Sequence, residues 1–528
     1  MNPRVITQLL TGNPLAAATT AGDAGDAWYE PPPRDVTAWR ERLEAVRSDF
    51  GDDWLARLAP GIEATGKAKE RLESTAAGKG VVVTTGQQPG LFGGPLYTLS
   101  KALSTLALAD SLQKATGVPV APVFWAATDD TDFKEASSTV ISVPGGAQLL
   151  RIDHPEPLGR PMAAMPLGDV STELEALARS AGSTIDRTPI ELLERFYTSD
   201  ATVGSAYVAF LRALFAPLGI AVIDASHSAT RAAAKTVLSA ALEKADEIAA
   251  AVSARNRELE AAGFTPQVQD VPGLSLVFSA ASGGRKRVPI KGASKHRRSD
   301  DLSPNVLLRP VVERAILPTA TYVGGAAEIA YFAQIAPIAE ALGVARPAIV
   351  PRWSCMVVEP HVEKILEKLY LLPEDLRDPH EAEAHVARSR LPKRVIEELN
   401  ETRVALDERL ATLTDAVVGE NAPIPTAVTA GLRANLIRRL DRFERRLISA
   451  AKKQHADIME EIGTARGSMY PLGKRQERSL NFVPLLARYG PILRDEMLAA
   501  AREHAERLLG DAKPARSLEE AGTTRGRT

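Results

Sequence analysis

The chain has 528 residues, 45% of them hydrophobic and 25% charged, a globular balance that excludes wholesale disorder. Its 64 Lys and Arg against 66 Asp and Glu leave a formal net charge of −2, so no global field steers it to nucleic acid or an anionic membrane, and neither is expected as a partner. The single cysteine, Cys355, excludes an intrachain disulfide and Cys-based zinc sites; the eight histidines show no HxxxH or HxH spacing, so no structural metal is expected.

Met1 to Leu15 breaks its few apolar residues with Arg4, Gln8, Asn13 and Pro14, and nowhere do about 18 apolar residues run together. A cytoplasmic protein without a membrane span is therefore expected. Residues 1–75 read as a helical lead-in, with Trp39, Leu43, Val46 and Phe50 at helical spacing. From 76 to 360 short β-branched runs alternate with helical segments: Val81 to Val83, Val118 to Trp125, Ile220 to Ile223, Leu274 to Phe278 and Ala348 to Val350. Runs apolar on both faces and separated by helices predict an α/β core with a covered parallel sheet. Two irregular stretches, near 149–205 and 263–304, read as insertions.

Across 361–466 the pattern changes to three-four spacing: Val395, Leu399, Thr402, Leu406, Leu410, Leu413 and Val417. After a breaker from Asn421 to Pro425, Leu436, Leu440, Phe443 and Leu447 resume it. Two amphipathic helices joined by a turn predict a long antiparallel coiled-coil hairpin. Its stripes are narrow, so each needs its partner helix or a second subunit. Residues 467–511 read as a C-terminal segment packing on the core, with a helix from Pro491 to Leu509, and 512–528 as a disordered polar tail.

Two segments carry candidate chemistry. In TTGQQPGLFGGPLYTLSK, Thr84 to Lys101, a strand runs into a glycine-rich loop and then a helix, an arrangement that presents backbone N–H groups to an anion. The spacing matches neither GxGxxG nor GxxxxGK[ST], and a tight turn that binds nothing explains it as well. In PVFWAATDDTDFKEA, Pro122 to Ala136, an apolar strand runs into Asp129, Asp130, Asp132 and Glu135. Carboxylates at a strand's carboxyl end can hold Mg²⁺, receive an amine or move a proton; capping of a helix is the plainer reading of any one of them. Of the weaker signals, the cation run Arg285 to Arg298 reads first as a solvated loop, with a phosphate-clamping lid as the alternative. Cys355 reads as a small buried hydrophobe.

These two segments, with LSPNVLLRPVVERAILPTATYVGGAAEIAYFAQI (Leu302 to Ile335), PRWSCMVVE (Pro351 to Glu359) and RQERSLNFVPLLARYG (Arg475 to Gly490), resemble the cysteine-adding enzyme family of bacillithiol biosynthesis. The resemblance runs from about Val81 to Gly490. It implies a Rossmann-like core with connecting-peptide-type insertions, akin to class I aminoacyl-tRNA synthetases, and a coiled coil that supports a homodimer. It also implies an amide-forming ligase that adds cysteine to glucosaminyl-malate, with ATP, accompanied by Mg²⁺, as the energy source. On that reading Gly86, Gln87, Gln88, Gly93 and Gly94 surround phosphate or sugar-malate oxygens. Asp130 and Asp132 recognise or deprotonate an amine, and Arg309 holds a carboxylate. Gly324, Gly325, Glu328 and Tyr331 form a second wall, and Tyr97, Lys101 and Asp129 complete the substrate-binding set. Ser100 and Thr131 stand where many relatives carry histidine. That departure keeps two alternatives open: a synthetase-like nucleotidyltransferase with another substrate, and a catalytically reduced dimeric scaffold that binds a metabolite.

Overall fold

The computed structural model describes residues 2–23, 28–153, 159–280, 284–417 and 424–510. The tail at 512–528 and most of the Asn421 to Pro425 breaker lie outside them. The chain divides into two compact units, one of residues 1–141, 149–357 and 477–528, the other of 142–148 and 358–476.

The first unit is built on five parallel strands: β1 (Val81–Gln87), β2 (Val120–Ala126), β3 (Ala221–Asp224), β4 (Thr319–Gly324) and β5 (Ile349–Pro351). Val81, Val82 and Val83 are buried on both faces, as their continuous β-branched run predicts. In space the strands lie in the order β5-β4-β1-β2-β3. Gly86 pairs with Trp125 across β1 and β2, and Tyr322 pairs with Thr84 across β4 and β1. The chain thus starts at the centre, moves outward through β2 and β3, and returns to the other side of β1 with β4. This is the Rossmann order, and a crevice opens at the carboxyl ends where the direction reverses, between β1 and β4.

Helix α1 (Leu96–Thr116) follows β1 and is buried along most of its length, ending where Gly117 takes a left-handed φ of 75°. Helix α2 (Arg309–Ile316) precedes β4 and α3 (Ala326–Phe332) follows it. A further helix, Val483–Leu508, packs on α1; it begins earlier than expected, and Gly490 breaks its regularity just before Pro491.

Three expectations need correction. The segment from Leu274 belongs to a separate antiparallel sheet, in which Leu274–Ser279 lies between Lys286–Pro289 and Leu302–Pro304. Only Ser275 and Val277, two residues apart, are buried in it, the pattern of a sheet covered on one face. The lead-in, expected to be helical, opens with a strand, Arg4–Gln8, before its helices. Strand β4 was absent from the expected set because Thr319, Thr321 and Gly324 dilute its apolar signal, although all six of its residues are buried.

In the second unit, helices α4 (Lys393–Val417) and α5 (Thr426–Gln454) form the hairpin. Arg403 pairs with Asp441 at 2.7 Å and Arg433 with Asp407 at 2.7 Å, so position rises along one helix as it falls along the other and the pair is antiparallel. Leu410 is buried between them, whereas Val404, Leu413, Val428, Leu432 and Phe443 are exposed. Among the described residues no helix is long and apolar enough to cross a membrane.

Candidate active site

A cleft of about 620 Å³ lies over the reversal point, within the first unit. The ends of β1, β2 and β4 and the edge of the antiparallel sheet line it, the position the strand order dictates.

One wall is organised by Lys101, one turn inside α1. Its ammonium donates to Gly86 O at 2.8 Å and Gln87 Oε1 at 3.0 Å, and pairs with Glu328 Oε2 at 2.6 Å. All three of its N–H donors are therefore used inside the protein. Glu328 reaches back to the Gly325 N–H at 2.7 Å, closing the first turn of α3, and its other oxygen accepts the Tyr322 hydroxyl at 2.6 Å. Burial opposes ionisation of Glu328, but Lys101, the Gly325 N–H and Tyr322 outweigh it and hold its carboxyl below the ordinary range. Burial also pulls Lys101 downward, yet three acceptors around one ammonium require its charged form.

Guanidinium groups form the opposite wall. Arg309 donates to Glu313 at 2.7 Å and to the Tyr331 hydroxyl at 2.9 Å, and lies 4.8 Å over the Tyr322 ring. Glu313 also accepts the Thr84 hydroxyl; burial raises its carboxyl, with Arg309 acting against the shift. Part of the Arg309 fork is thus committed to Glu313 within α2 and to Tyr331 on α3, while its face stacks on β4. Arg285 crosses from the antiparallel sheet to Asp129 at 3.0 Å, held by Pro304 O at 2.7 Å and Ser303 Oγ at 2.9 Å and stacked 4.0 Å over Phe278. Burial pushes the Asp129 carboxyl up, and Arg285 opposes that. The solvated-loop reading therefore fails for Arg285 and for Arg287, which also lines the cleft and donates to Ser275 O at 2.8 Å.

Between the walls lies the acidic loop after β2. Asp130 accepts the Asp132 N–H at 2.9 Å, and Asp132 caps the short helix Phe133–Ala136 by accepting the Glu135 N–H at 3.1 Å. Glu135 accepts from the Gln88 amide and from Tyr97.

The structure brings Gly86, Gln87, Gln88, Tyr97, Lys101, Asp129 and Asp130 together around the cleft with Arg309, Gly325, Glu328 and Tyr331. Four expected residues do not line it. Asp132 is occupied as a helix cap, and Gly324 is buried as the last residue of β4, in register with Pro351. Gly93 and Gly94 take φ of 85° and 84°; a Cβ on Gly93 would stand 2.6 Å from Phe210 and 2.9 Å from Phe482. Their freedom serves packing of the loop, which Asn481 fastens through Phe92 O and Thr139 Oγ1, both at 3.1 Å. Of the two departures from histidine, Thr131 lines the cleft, whereas Ser100 is buried beside Arg352, which donates to its hydroxyl at 3.3 Å.

Sequence reasoning missed Tyr322 and the Arg352–Glu477 pair, and left Glu135 outside the site. Arg352 follows β5 directly, so the strand-end rule that found Asp129 could have found it. Nothing in the sequence links it to Glu477, 125 residues away.

A Rossmann sheet with carboxylates and guanidinium groups facing each other over its reversal point has the arrangement of a ligand-binding α/β protein. Family comparison is specific. Residues 22–353 match the N-terminal Rossmann-like domain of bacillithiol biosynthesis BshC, and 355–508 match its C-terminal coiled-coil domain. The chain belongs to the bacillithiol biosynthesis BshC family. A relative from Koribacter versatilis, named "Putative cysteine ligase BshC", is 32% identical over 90% of this chain and 89% of its own. One of the same name from Solibacter usitatus is 28% identical over 88% and 90%. The crystal structure of a "putative arginyl t-RNA synthetase" from Campylobacter jejuni, 10% identical over 84% of this chain and 96% of its own, superposes with a TM-score of only 0.21, too low to carry an argument.

Proposed function

We propose that this protein is the ligase that joins cysteine to glucosaminyl-malate through an amide bond, in the cytoplasm, with ATP and Mg²⁺ driving the step. The observation that carries the reading is the facing of unneutralised carboxylate against guanidinium across one cleft. Amide formation has to bring an amine to an acyl group whose activation leaves a phosphate, and these walls suit the two halves. Asp130, beside Glu135, faces the amine, and Asp132 acts from behind it by shaping the loop. Arg309 and Arg285 contact carboxylate or phosphate, with Asp129 orienting Arg285. Gly86, Gln87 and Gln88 supply main-chain and amide contacts, and Tyr97, Gly325, Glu328 and Tyr331 shape the walls. Lys101 holds the β1 end in place.

The test is incubation with glucosaminyl-malate, cysteine and Mg-ATP, leaving out each in turn, with bacillithiol read by mass spectrometry. Product that requires every component is expected. Product without ATP would overturn the energy source, and no product from folded protein would overturn the ligase.

We also propose that the hairpin joins two copies of the chain. The exposed Val404, Leu413, Val428, Leu432 and Phe443 support this, since α4 and α5 leave them uncovered. Phe443→Glu with Leu432→Glu should convert dimer to monomer in sedimentation while leaving helicity intact. A dimer that survives both changes places the interface elsewhere.

A further inference from the structure

The cleft holds two kinds of carboxylate. Asp129 and Glu328 each have a cation, Arg285 and Lys101 respectively. Asp130 and Glu135 have no ion-pair partner among the described residues. Asp130 gives one oxygen to the loop backbone, which leaves Glu135 as the carboxylate aimed by side chains alone.

How it is aimed follows from donor counting. Lys101 can only donate, so the Gln87 oxygen must face it, at 3.0 Å. The Gln87 amide nitrogen then faces the other way and donates to the Tyr97 hydroxyl at 3.2 Å. With its oxygen already accepting, Tyr97 directs its own proton outward to Glu135, 3.4 Å away. A one-way chain therefore runs from the Lys101 ammonium through Gln87 and Tyr97 and ends on the Glu135 carboxylate. Gln88 donates to the second oxygen of the same carboxylate. Each oxygen thus has one protein donor and a free lone pair, and among the described residues no cation pairs directly with the carboxylate, Arg478 acting on it only from a distance.

We propose that Glu135 receives the ammonium of the amine substrate and takes up its proton as the amide forms, with Lys101, Gln87 and Tyr97 as its positioning residues. The ligand class is a primary amine in its protonated form. Glu135 takes one proton from the bound ammonium, which frees the nitrogen lone pair. The amine nitrogen then bonds to the acyl carbon, the C–O bond to the phosphate leaving group breaks, and that group departs with the electron pair and the second N–H proton. The ammonium contact stands independently; the proton transfer rests on the ligase reading. The groups facing Glu135 are Asp130, Asp132, Tyr97, Gln88 and Arg478. Partial desolvation in the cleft, then Asp132 and Asp130, raise its carboxyl, while Tyr97 and Arg478 act against the rise; the side chain itself stays exposed. A carboxyl raised in this way is a stronger base toward the substrate proton than an ordinary carboxylate.

The experiment uses the full chain and two probes at pH 7, glucosamine and N-acetylglucosamine, which differ in the charge on nitrogen. Calorimetry should show glucosamine bound roughly tenfold or more tightly, as a hydrogen-bonded charge contact gives. Glu135→Gln, which keeps shape and both donors, should erase the preference. Tyr97→Phe should keep it, because the carboxylate remains. A preference that survives Glu135→Gln, or none in the native chain, would overturn the proposal. In the bacillithiol assay, Glu135→Gln should remove the acidic limb of the pH–rate profile. Tyr97→Phe should move that limb to higher pH, since it removes a donor to the anion. If the native chain makes no product yet its glucosamine preference depends on Glu135, the ligase reading falls and the ammonium site stands. Full rate with an unchanged limb in Glu135→Gln would overturn the proton role.

Discussion

Two arginine–carboxylate pairs, one in each unit, have nearly the same length and opposite surroundings. Arg352 meets Glu477 at 2.8 Å with side chains 5% and 2% exposed; Arg433 meets Asp407 at 2.7 Å with side chains 54% and 44% exposed. In the core both ions have left water, and the Arg352 fork also reaches the Trp353 carbonyl at 2.9 Å and the Ser100 hydroxyl. On the hairpin both ions keep their hydration, and salt screens their attraction. Distance is therefore no measure of what a pair contributes. The core pair fixes the end of β5 against the segment carrying Asn481, and hence the loops around the cleft, whereas the hairpin pair decorates a surface.

The largest effect expected from this difference is that of Glu477→Ala. It leaves the Arg352 guanidinium buried without its carboxylate, which should cost roughly 3–5 kcal/mol. Replacing both residues by leucine should recover most of the loss, because no buried charge remains. All five tryptophans lie in the core unit, so their fluorescence during urea unfolding follows that unit alone. The pair also predicts the response to pH. Burial alone would raise the Glu477 carboxyl, but Arg352 and the hydrogen bonds around it prevail and hold it below the ordinary carboxylate range. Its contribution is thus fully present above the unfolded value, about 4.3, and is lost as pH falls through the lower folded value. Glu477→Ala should therefore be least stable relative to the native chain near neutrality, and the gap should narrow on acidification below about pH 4. A loss of under about 1 kcal/mol at pH 7 would mean that Arg352 finds water or another acceptor.

The same contrast between local and distant partners explains what the sequence made legible. Strands β1 and β2 announce themselves as apolar runs because both faces are covered, and Asp129 and Asp130 follow because ligands gather at such strand ends. The helical spacing of Leu406, Leu410, Leu436 and Leu440 is equally local, which makes the hairpin readable. Gly93 and Gly94 misled because a loop rich in glycine looks the same whether it must approach a ligand or, as here, Phe210 and Phe482. Arg285 sits in a cation run whose default is solvent, and only the antiparallel sheet carries it to Asp129, 156 residues away. The chain from Lys101 to Glu135 needs α1, β1 and the acidic loop in register, and no single window of sequence contains all three.

The smallest expected effect is that of Arg433→Ala. In the isolated hairpin, solvated ions in a screened pair leave little to lose, so thermal melting followed by helical circular dichroism should not change measurably. Added salt should likewise bring the native chain no closer to the variant, because the two already coincide. This null result sharpens the comparison, since it makes exposure the variable that separates the two pairs at equal length. A drop approaching that of Glu477→Ala would break it in an informative way. It would mean that Arg433 and Asp407 are dehydrated in solution, and something outside the single chain would have to cover them. The exposed Leu432 lies beside Arg433 on α5, so a second hairpin laid over that face would be the first structure to seek. A loss that disappears in the Phe443→Glu, Leu432→Glu monomer would assign the covering to the partner copy, and a loss that persists would assign it to the hairpin itself.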